Sequence, residues 1–232
     1  MARRAAREQT NIQGNLSPVQ QIVVWAIPVI FAITVHEVAH GFVARHFGDP
    51  TAARQGRLTL NPVKHIDPIG TLLVPGLMLL LPGNFVFGWA KPVPVAFQNL
   101  RNPKRDMAIV AAAGPISNLL MGLGWALLLR VAAEFGGTLP WVAQPLAYMA
   151  MAGIAINVIL MVLNLLPLPP LDGGRVAVGL LPDNAGAALS RLESYGLIIV
   201  VVLLVTGLLA QLIGPPVVAL QSVLFGIAGL GG

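Results

Sequence analysis

The sequence contains no cysteine and very little charge. Of its 232 residues, 10% are Asp, Glu, Lys or Arg, whereas a soluble domain carries about 25%. The lack of cysteine excludes a disulfide framework. The lack of charge excludes a domain that covers itself with a water-facing surface. Because 56% of the residues are hydrophobic and the mean hydropathy is +0.79, the composition predicts a polytopic membrane protein.

Most of the few charged residues are basic. Lys and Arg number 14 against 9 Asp and Glu, which gives a formal net charge of +5. In a membrane protein, such an excess is explained by loops held on the cytoplasmic side rather than by nucleic acid. We therefore expect the lipid bilayer as a partner and no nucleic acid.

Long apolar runs predict the helices that cross the membrane, since a bilayer core takes about 20 apolar residues as a helix. Four runs are long enough: residues 19–44, 107–133, 141–163 and 197–213. Residues 217–230 form a shorter run, either a marginal span or a tilted terminal segment. We predict one all-α membrane domain over residues 1–232, with about five or six transmembrane helices. Its catalytic core covers about residues 19–182, and extra C-terminal helices cover about 187–230.

One apolar segment does not read as a simple helix. Residues 66–87 are interrupted by three prolines, and broken backbone at membrane depth survives only where it is buried in protein or lines a cavity. We therefore predict a re-entrant segment. Residues 85–95 contain β-forming side chains, with Pro92 and Pro94 at a period of two. This pattern predicts a short membrane-associated β-hairpin or edge strand.

The first apolar run ends in His36-Glu37-Val38-Ala39-His40. Two histidines four residues apart project from one face of a helix, which suits two imidazoles on one tetrahedral zinc. Glu37 is then placed to take a proton from the attacking water. Ionisable residues at membrane depth are candidates for function. The alternative is a surface helix end with two solvated histidines.

A carboxylate that could complete this site follows the 141–163 run. Residues 164–174 read Asn-Leu-Leu-Pro-Leu-Pro-Pro-Leu-Asp-Gly-Gly, where the prolines end the helix and the glycines permit a tight turn after Asp172. A catalytic zinc needs three protein ligands and an open position for water. Asp172 fits as the third ligand, and the alternative is that it caps a short helix beginning near Gly173.

Topology links these two motifs. If residues 66–87 do not cross the membrane, the 107–133 and 141–163 helices leave and return to the face where the first span exits, and Asp172 arrives at the depth of the histidines. If residues 66–87 cross, Asp172 lies on the opposite face. The first version puts ten of the 14 basic residues on the metal side, which we therefore expect to be cytoplasmic. These ten are Arg45, Arg54, Arg57, Lys64, Lys91, Arg101, Lys104, Arg105, Arg175 and Arg191. The arginines near the N-terminus fall on the other face.

Three motifs in order, H-E-V-A-H-G at 36–41, A-G-P-I-S-N at 113–118 and N-L-L-P-L-P-P-L-D-G at 164–173, resemble the site-2 protease family of intramembrane zinc metalloproteases (peptidase M50-like). The resemblance covers roughly residues 20–180 and is closest to compact members without PDZ or CBS domains. It implies one Zn²⁺ per chain, with Glu37 as general base and three metal ligands, His36, His40 and Asp172. Asn164 would hold the substrate strand or stabilise the oxyanion, and the alternative is an amide that closes the helix end.

The implied activity is hydrolysis of peptide bonds within or near transmembrane segments, and the substrate is a membrane protein whose transmembrane helix can unwind. Two alternatives come from other classes: a non-enzymatic metal transporter, or a scaffold that retains the zinc motif. Hydrolysis of a lipid or small molecule at the same zinc is a further alternative. A transporter needs polar groups running through the membrane, whereas the polar groups of this sequence cluster around one depth.

Several other polar or small residues receive structural interpretations. Gly114 and Pro115 are expected to let helices approach closely, and Asn118 is expected to form an interhelical hydrogen bond. His46 and His65 lie beside charged loops and are expected to be solvated or interfacial rather than metal ligands.

Overall fold

The structure is a computed structural model that describes residues 17–73, 77, 88 and 90–230. Within these ranges the protein is helical and no residue belongs to a strand. The described residues form eight α-helices: α1 Pro18–His46, α2 Thr51–Arg54, α3 Pro103–Phe135, α4 Pro140–Asn164, α5 Asp172–Leu180, α6 Asp183–Ser190, α7 Glu193–Val205 and α8 Leu208–Ile227. Single turns of other helix types lie at Pro62–His65, Pro68–Leu73 and Phe97–Asn99.

Four helices are long and apolar enough to cross a membrane: Val19–His46, Pro103–Phe135, Pro140–Asn164 and Leu208–Ile227. The all-α fold with several membrane spans is thus confirmed for the described residues. Helices α6 and α7 meet at a bend of 61° and give a fifth span only if they are counted as one broken helix. The larger count of five or six spans is not confirmed.

The predicted bounds of the last spans are wrong. The predicted 197–213 helix is divided, because α7 ends at Val205 and Gly207 adopts a left-handed conformation with φ of 75°. Glycine has no Cβ and enters this region without strain, so the chain can turn there. Helix α8 then continues through Pro215 and Pro216 and includes most of the predicted terminal segment.

The helix that carries the histidines begins at a defined cap. Ser17 and Gln20 form a capping box, in which Gln20 N donates to Ser17 Oγ at 3.3 Å and Ser17 N donates to Gln20 Oε1 at 2.8 Å. These bonds satisfy backbone donors that a helix start otherwise leaves free. The histidine motif lies in the C-terminal half of this 29-residue helix.

The core lies between α3, α4 and α8. Its buried side chains include Leu129 of α3, Ile154 of α4 and Phe225 of α8. Gly153 lies against Trp125, and a Cβ at Gly153 would overlap the indole ring. Small residues at such contacts let helix backbones approach closely in membranes.

The described residues on either side of the 66–87 segment lie close together. Lys91 N donates to His65 O at 2.9 Å, and Arg101 N donates to Phe47 O at 3.0 Å. A segment whose ends meet in this way is what the re-entrant prediction requires. Residues 74–76 and 78–87 lie outside the described residues, and the re-entrant path stays a prediction there.

The predicted hairpin or edge strand at 85–95 is not confirmed. Residues 85–87 and 89 lie outside the described residues, and residues 90–96 are extended without pairing to a strand in the described part of the chain. Pro92 and Pro94 lack the N–H groups that a strand ladder needs. The extended segment instead lies against α1, where its backbone contacts side chains.

Candidate active site

Three potential metal ligands meet at one point between α1 and the start of α5. His36 Nε2 lies 3.1 Å from His40 Nε2, and Asp172 Oδ2 lies 3.1 Å from the first nitrogen and 3.3 Å from the second. Zinc–nitrogen and zinc–oxygen bonds are about 2.0–2.1 Å, so tetrahedral ligands lie about 3.3 Å apart. The observed separations match this spacing. The side chains of the three residues are only 9%, 12% and 10% exposed, respectively.

The protonation pattern of these groups fits a cation. His40 Nδ1 lies 2.8 Å from Val110 O, and because a carbonyl only accepts, Nδ1 carries a proton; in the neutral imidazole, Nε2 then carries the lone pair. Asp172 Oδ2 is buried without a hydrogen-bond partner. Lone pairs that converge in this way repel one another unless a cation lies among them. The donor set therefore fits a metal ion, and it is the histidine and carboxylate chemistry that zinc prefers.

Gly114 leaves the space in which the imidazoles lie. A Cβ at this position would be 2.6 Å from His36 Nε2 and would also overlap the His40 ring. The backbone of α3 thus contacts both histidines directly. Gly114 was expected to let helices approach closely. In the structure, the groups that lie against it are the imidazole rings of His36 and His40.

Asp172 is held by a turn in which backbone packs on backbone. It is the first residue of α5, where the N-cap is Leu171 and no side chain forms a cap bond, so the capping alternative for Asp172 is wrong. A Cβ at Gly173 would overlap the backbone of Leu165 and Leu166. A Cβ at Gly174 would overlap the backbone at Pro169. The glycines are needed for this close packing.

Glu37 contacts the extended segment. Its Oε2 accepts a hydrogen bond of 2.7 Å from Val93 N. One turn further along α1, a Cβ at Gly41 would lie 2.8 Å from Val93 Cγ1. Residues 90–96 therefore cross α1 directly over the histidine motif.

Two charged residues hold that segment in place. The buried Arg57 donates from Nη2 to Lys91 O at 2.8 Å and to Pro92 O at 3.3 Å. Asp49, which is fully buried, accepts from Ala96 N at 2.7 Å. Burial alone would raise the pKa of Asp49, but hydrogen bonds from Thr51 and other donors outweigh it and lower the pKa below its usual value.

No motif in the sequence indicates that Arg57 and Asp49 hold this segment. The sequence marks Arg57 only as one of the basic residues expected on the metal side. The Asp49-Pro50-Thr51 run is a turn signal, and it could have indicated the local bond from Thr51 N to Asp49 Oδ1, which is 3.1 Å long. His46 is exposed, as expected. His65 is buried rather than solvated, because it is 3% exposed and its Nε2 bonds to Thr59 O at 2.9 Å; as expected, it is not part of the three-ligand group among the described residues.

The side chain of Asn164 bonds to a backbone carbonyl at the end of its own helix. Its Nδ2 donates to Leu160 O at 2.9 Å, which is the alternative left open by the sequence. This bond uses one of the two Nδ2 hydrogens and leaves Oδ1 available, and a role of Asn164 toward substrate stays a prediction.

Known proteins share this sequence pattern. Residues 131–208, which include Asp172 but not the histidine motif, match peptidase family M50. YwhC of Bacillus subtilis, named as a candidate zinc metalloprotease, is 42% identical over 190 residues, which cover 82% of this chain and 83% of the relative. The chain belongs to peptidase family M50. It is a zinc metalloprotease of that family, as the resemblance to site-2 proteases implied.

Further relatives support the same family. Rip2 of Mycolicibacterium smegmatis, also named as a candidate zinc metalloprotease, is 36% identical over 76% of this chain and 64% of its own length. Rip2 of Mycobacterium tuberculosis is 31% identical over 75% of this chain. No solved structure matches this M50 peptidase.

Proposed function

We propose that this M50 peptidase hydrolyses peptide bonds within or near the transmembrane segments of membrane proteins, as in regulated intramembrane proteolysis. The supporting observation is the three-ligand set of His36, His40 and Asp172, with two of its members on a helix of mean hydropathy 2.1. A hydrolytic centre on such a helix has access to peptide bonds at membrane depth.

The proposed roles follow from the chemistry of each side chain. His36, His40 and Asp172 hold the ion, and Glu37 acts as general base. When bound, zinc lowers the pKa of a water to about 7 and polarises the scissile carbonyl. Glu37 removes a proton from the attacking water, whose oxygen bonds to the carbonyl carbon. The same carboxyl then gives that proton to the amine as the C–N bond breaks.

The hydrogen bond from Val93 to Glu37 gives the extended segment a part in this proposal. It orients one carboxylate oxygen, Oε2, and the lone pairs of the other oxygen, Oε1, stay available for the proton. No described residue donates a hydrogen bond to the carbonyls of Val93, Pro94 or Val95. An unwound substrate could pair with these carbonyls and so replace part of its lost helical hydrogen bonding.

The active site is proposed to face the cytoplasm. Basic residues cluster at the end of α1 and the start of α3, among them Arg45, Arg101 and Arg105, and Arg101 N bonds to Phe47 O. Cytoplasmic loops carry such an excess of Lys and Arg. A cysteine introduced at the exposed His46 should therefore react with a thiol reagent only after the cytoplasmic face becomes accessible.

The test of function is cleavage of a co-expressed, tagged single-span protein whose transmembrane segment contains Gly and Asn, beside a matched Leu-rich segment. Low helix propensity eases unwinding, so the first segment should be cut faster. Glu37→Gln should retain zinc and stop cleavage. Cleavage by Glu37→Gln at the wild-type rate would overturn the assigned base. Zinc flux through proteoliposomes without cleavage would favour the transporter.

A further inference from the structure

Two asparagines lie in the interior of the helix bundle. Asn118 of α3 and Asn157 of α4 are both 0% exposed. Burying an amide without hydrogen bonds is unfavourable, so buried amides of this kind are expected to be fully paired. Their partners define a chain of hydrogen bonds that runs from α4 to the metal ligands.

The chain has a fixed direction. Asn157 Nδ2 donates to Gly153 O at 2.8 Å, and because a carbonyl only accepts, the orientation of the Asn157 amide is set. Its Oδ1 then accepts from Asn118 Nδ2 at 2.9 Å. Asn118 Nδ2 is also 3.5 Å from Ala32 O, a second group that only accepts. The Gly153 carbonyl thus orients the Asn157 amide, and the Asn157 amide in turn orients that of Asn118.

The end of the chain is His36. With Asn118 Nδ2 bonded to acceptors, Asn118 Oδ1 faces His36 Nδ1 at 2.6 Å. This oxygen requires a proton on Nδ1, so in the neutral imidazole Nε2 carries the lone pair. Nε2 is the atom that lies 3.1 Å from both His40 Nε2 and Asp172 Oδ2.

We propose that Asn118 and Asn157 are positioning residues, which hold His36 in the metal-binding tautomer and ring orientation. The inference rests on the proposed role of His36 as a metal ligand. His40 reaches the same state through the backbone carbonyl of Val110, which no side-chain substitution removes. The tautomer of His36 depends on two side chains, Asn118 and Asn157, so substitutions can change it.

A purely structural role predicts different behaviour. If Asn118 only filled space, Asn118→Leu would be the milder change and Asn118→Asp the more severe one, because it buries a charge. The positioning role predicts the reverse order for zinc affinity. Asp keeps an oxygen that accepts from His36 Nδ1, whereas Leu keeps only the volume.

The test measures zinc affinity by chelator competition in detergent-purified full-length protein, together with the thermal stability of the zinc-free form. Loss of an outer partner of a metal-bound histidine weakens affinity about 10- to 100-fold, and we expect this for Asn118→Leu. Asn118→Asp should stay nearer to wild type. Asn157→Leu should lose less than Asn118→Leu, because Asn118 keeps its contact with His36. Ser117→Ala, which removes a neighbouring hydroxyl bonded to Gly114 O, is the control and should be unchanged.

Two further readouts separate positioning from packing. The double variant Asn118→Leu/Asn157→Leu should bind zinc no more weakly than Asn118→Leu alone, because the second residue acts only through the first. In zinc-free protein with ¹⁵N-labelled histidine, the His36 signal, identified by its loss in His36→Ala, should report a proton on Nδ1. In Asn118→Leu it should report a mixture of tautomers.

The outcomes distinguish this inference from the proposed site. Zinc that is lost in His36→Ala but unchanged in Asn118→Leu and Asn157→Leu would overturn the positioning role and leave the ligand intact. Independent, additive losses from the two asparagines would also overturn it. Zinc that is unchanged in His36→Ala would instead overturn the metal site itself.

Discussion

The two halves of the proposed metal site are built in different ways. The histidines lie on a long regular helix, where spacing aligns them and hydrogen bonds to Asn118 and Val110 orient their rings. Asp172 lies at the end of an irregular turn, where Gly173 and Gly174 contact neighbouring backbone. The helical half is therefore fixed by directed hydrogen bonds, and the turn is fixed by close packing. The two halves should fail under different substitutions.

The turn should be the most sensitive part. Gly173→Ala places a methyl group on the backbone of Leu165 and Leu166, which cannot move without displacing Asp172. A misplacement of about 1 Å can cost about a hundredfold in rate. We expect at least that loss of cleavage, together with weaker zinc binding, measured by reporter cleavage and metal content.

Gly124→Ala is the matched control for this prediction. Gly124 lies inside α3, and a Cβ there has no neighbour within 4 Å. In a helix interior, alanine is favoured over glycine by about 1 kcal/mol, so this variant should be as active and slightly more stable. Equal zinc content in Gly173→Ala and Gly124→Ala would mean that the turn adapts, and the contrast between the two halves would not hold.

The helical half should respond next most strongly to Gly114→Ala. The new methyl group meets imidazole atoms of His36 and His40 rather than backbone, so the two rings must shift, which side chains can do more readily than packed backbone. We expect zinc affinity to fall about 10- to 100-fold, the range seen when ligand orientation is disturbed. Chelator competition would measure it, and the thermal stability of the zinc-free protein should change little. A large loss of that stability would assign Gly114 to packing instead.

The same contrast explains what the sequence could predict. The apolar runs identified α1, α3 and α4, and the motifs brought out His36 and Asp172 although 136 positions separate them in the numbering. Both kinds of signal are local patterns. The break at Gly207 was missed because composition does not report a backbone conformation with φ of 75°.

The contacts that hold the site were harder to predict because they join distant segments. Arg57 bonds to Lys91 O, 34 positions away, and Asp49 bonds to Ala96 N, 47 positions away. Asn157 stands among apolar residues of α4, and its isolation was a signal that could have been used. Its partner on α3 could not be deduced from spacing.

A weaker effect is expected at Asp49, which anchors the extended segment beside the helical half. Its folded pKa is lowered, so its contribution to stability is present above the unfolded value of about 3.9 and is lost as pH falls through the folded pKa. Asp49→Asn should lower the free energy of unfolding by about 1–3 kcal/mol at neutral pH. The variant should then lose less stability than wild type between about pH 6 and pH 3. Chemical unfolding in detergent at both pH values measures this difference.

Asp183 provides the comparison for Asp49. Its pKa is also lowered, here by Lys104 at 2.5 Å, but its side chain is 91% exposed. Solvent screens such a pair, so Asp183→Asn should leave the loss of stability at low pH unchanged. If Asp49→Asn and Asp183→Asn reduce that loss equally, the burial of Asp49 is not the cause of its effect on stability.

The smallest effect is expected where α5, which begins at Asp172, is linked to α7 by an exposed ion pair. Arg175 Nη2 lies 3.2 Å from Glu193 Oε1, with side chains 35% and 49% exposed, and pairs of this kind contribute at most about 1 kcal/mol. Glu193→Gln should therefore change zinc content and cleavage by less than about twofold. Gly196→Ala, only three positions further on α7, places a methyl group on Pro169 O and should be far more harmful. If Glu193→Gln were the worse variant, charge rather than backbone packing would be what secures the turn that carries Asp172.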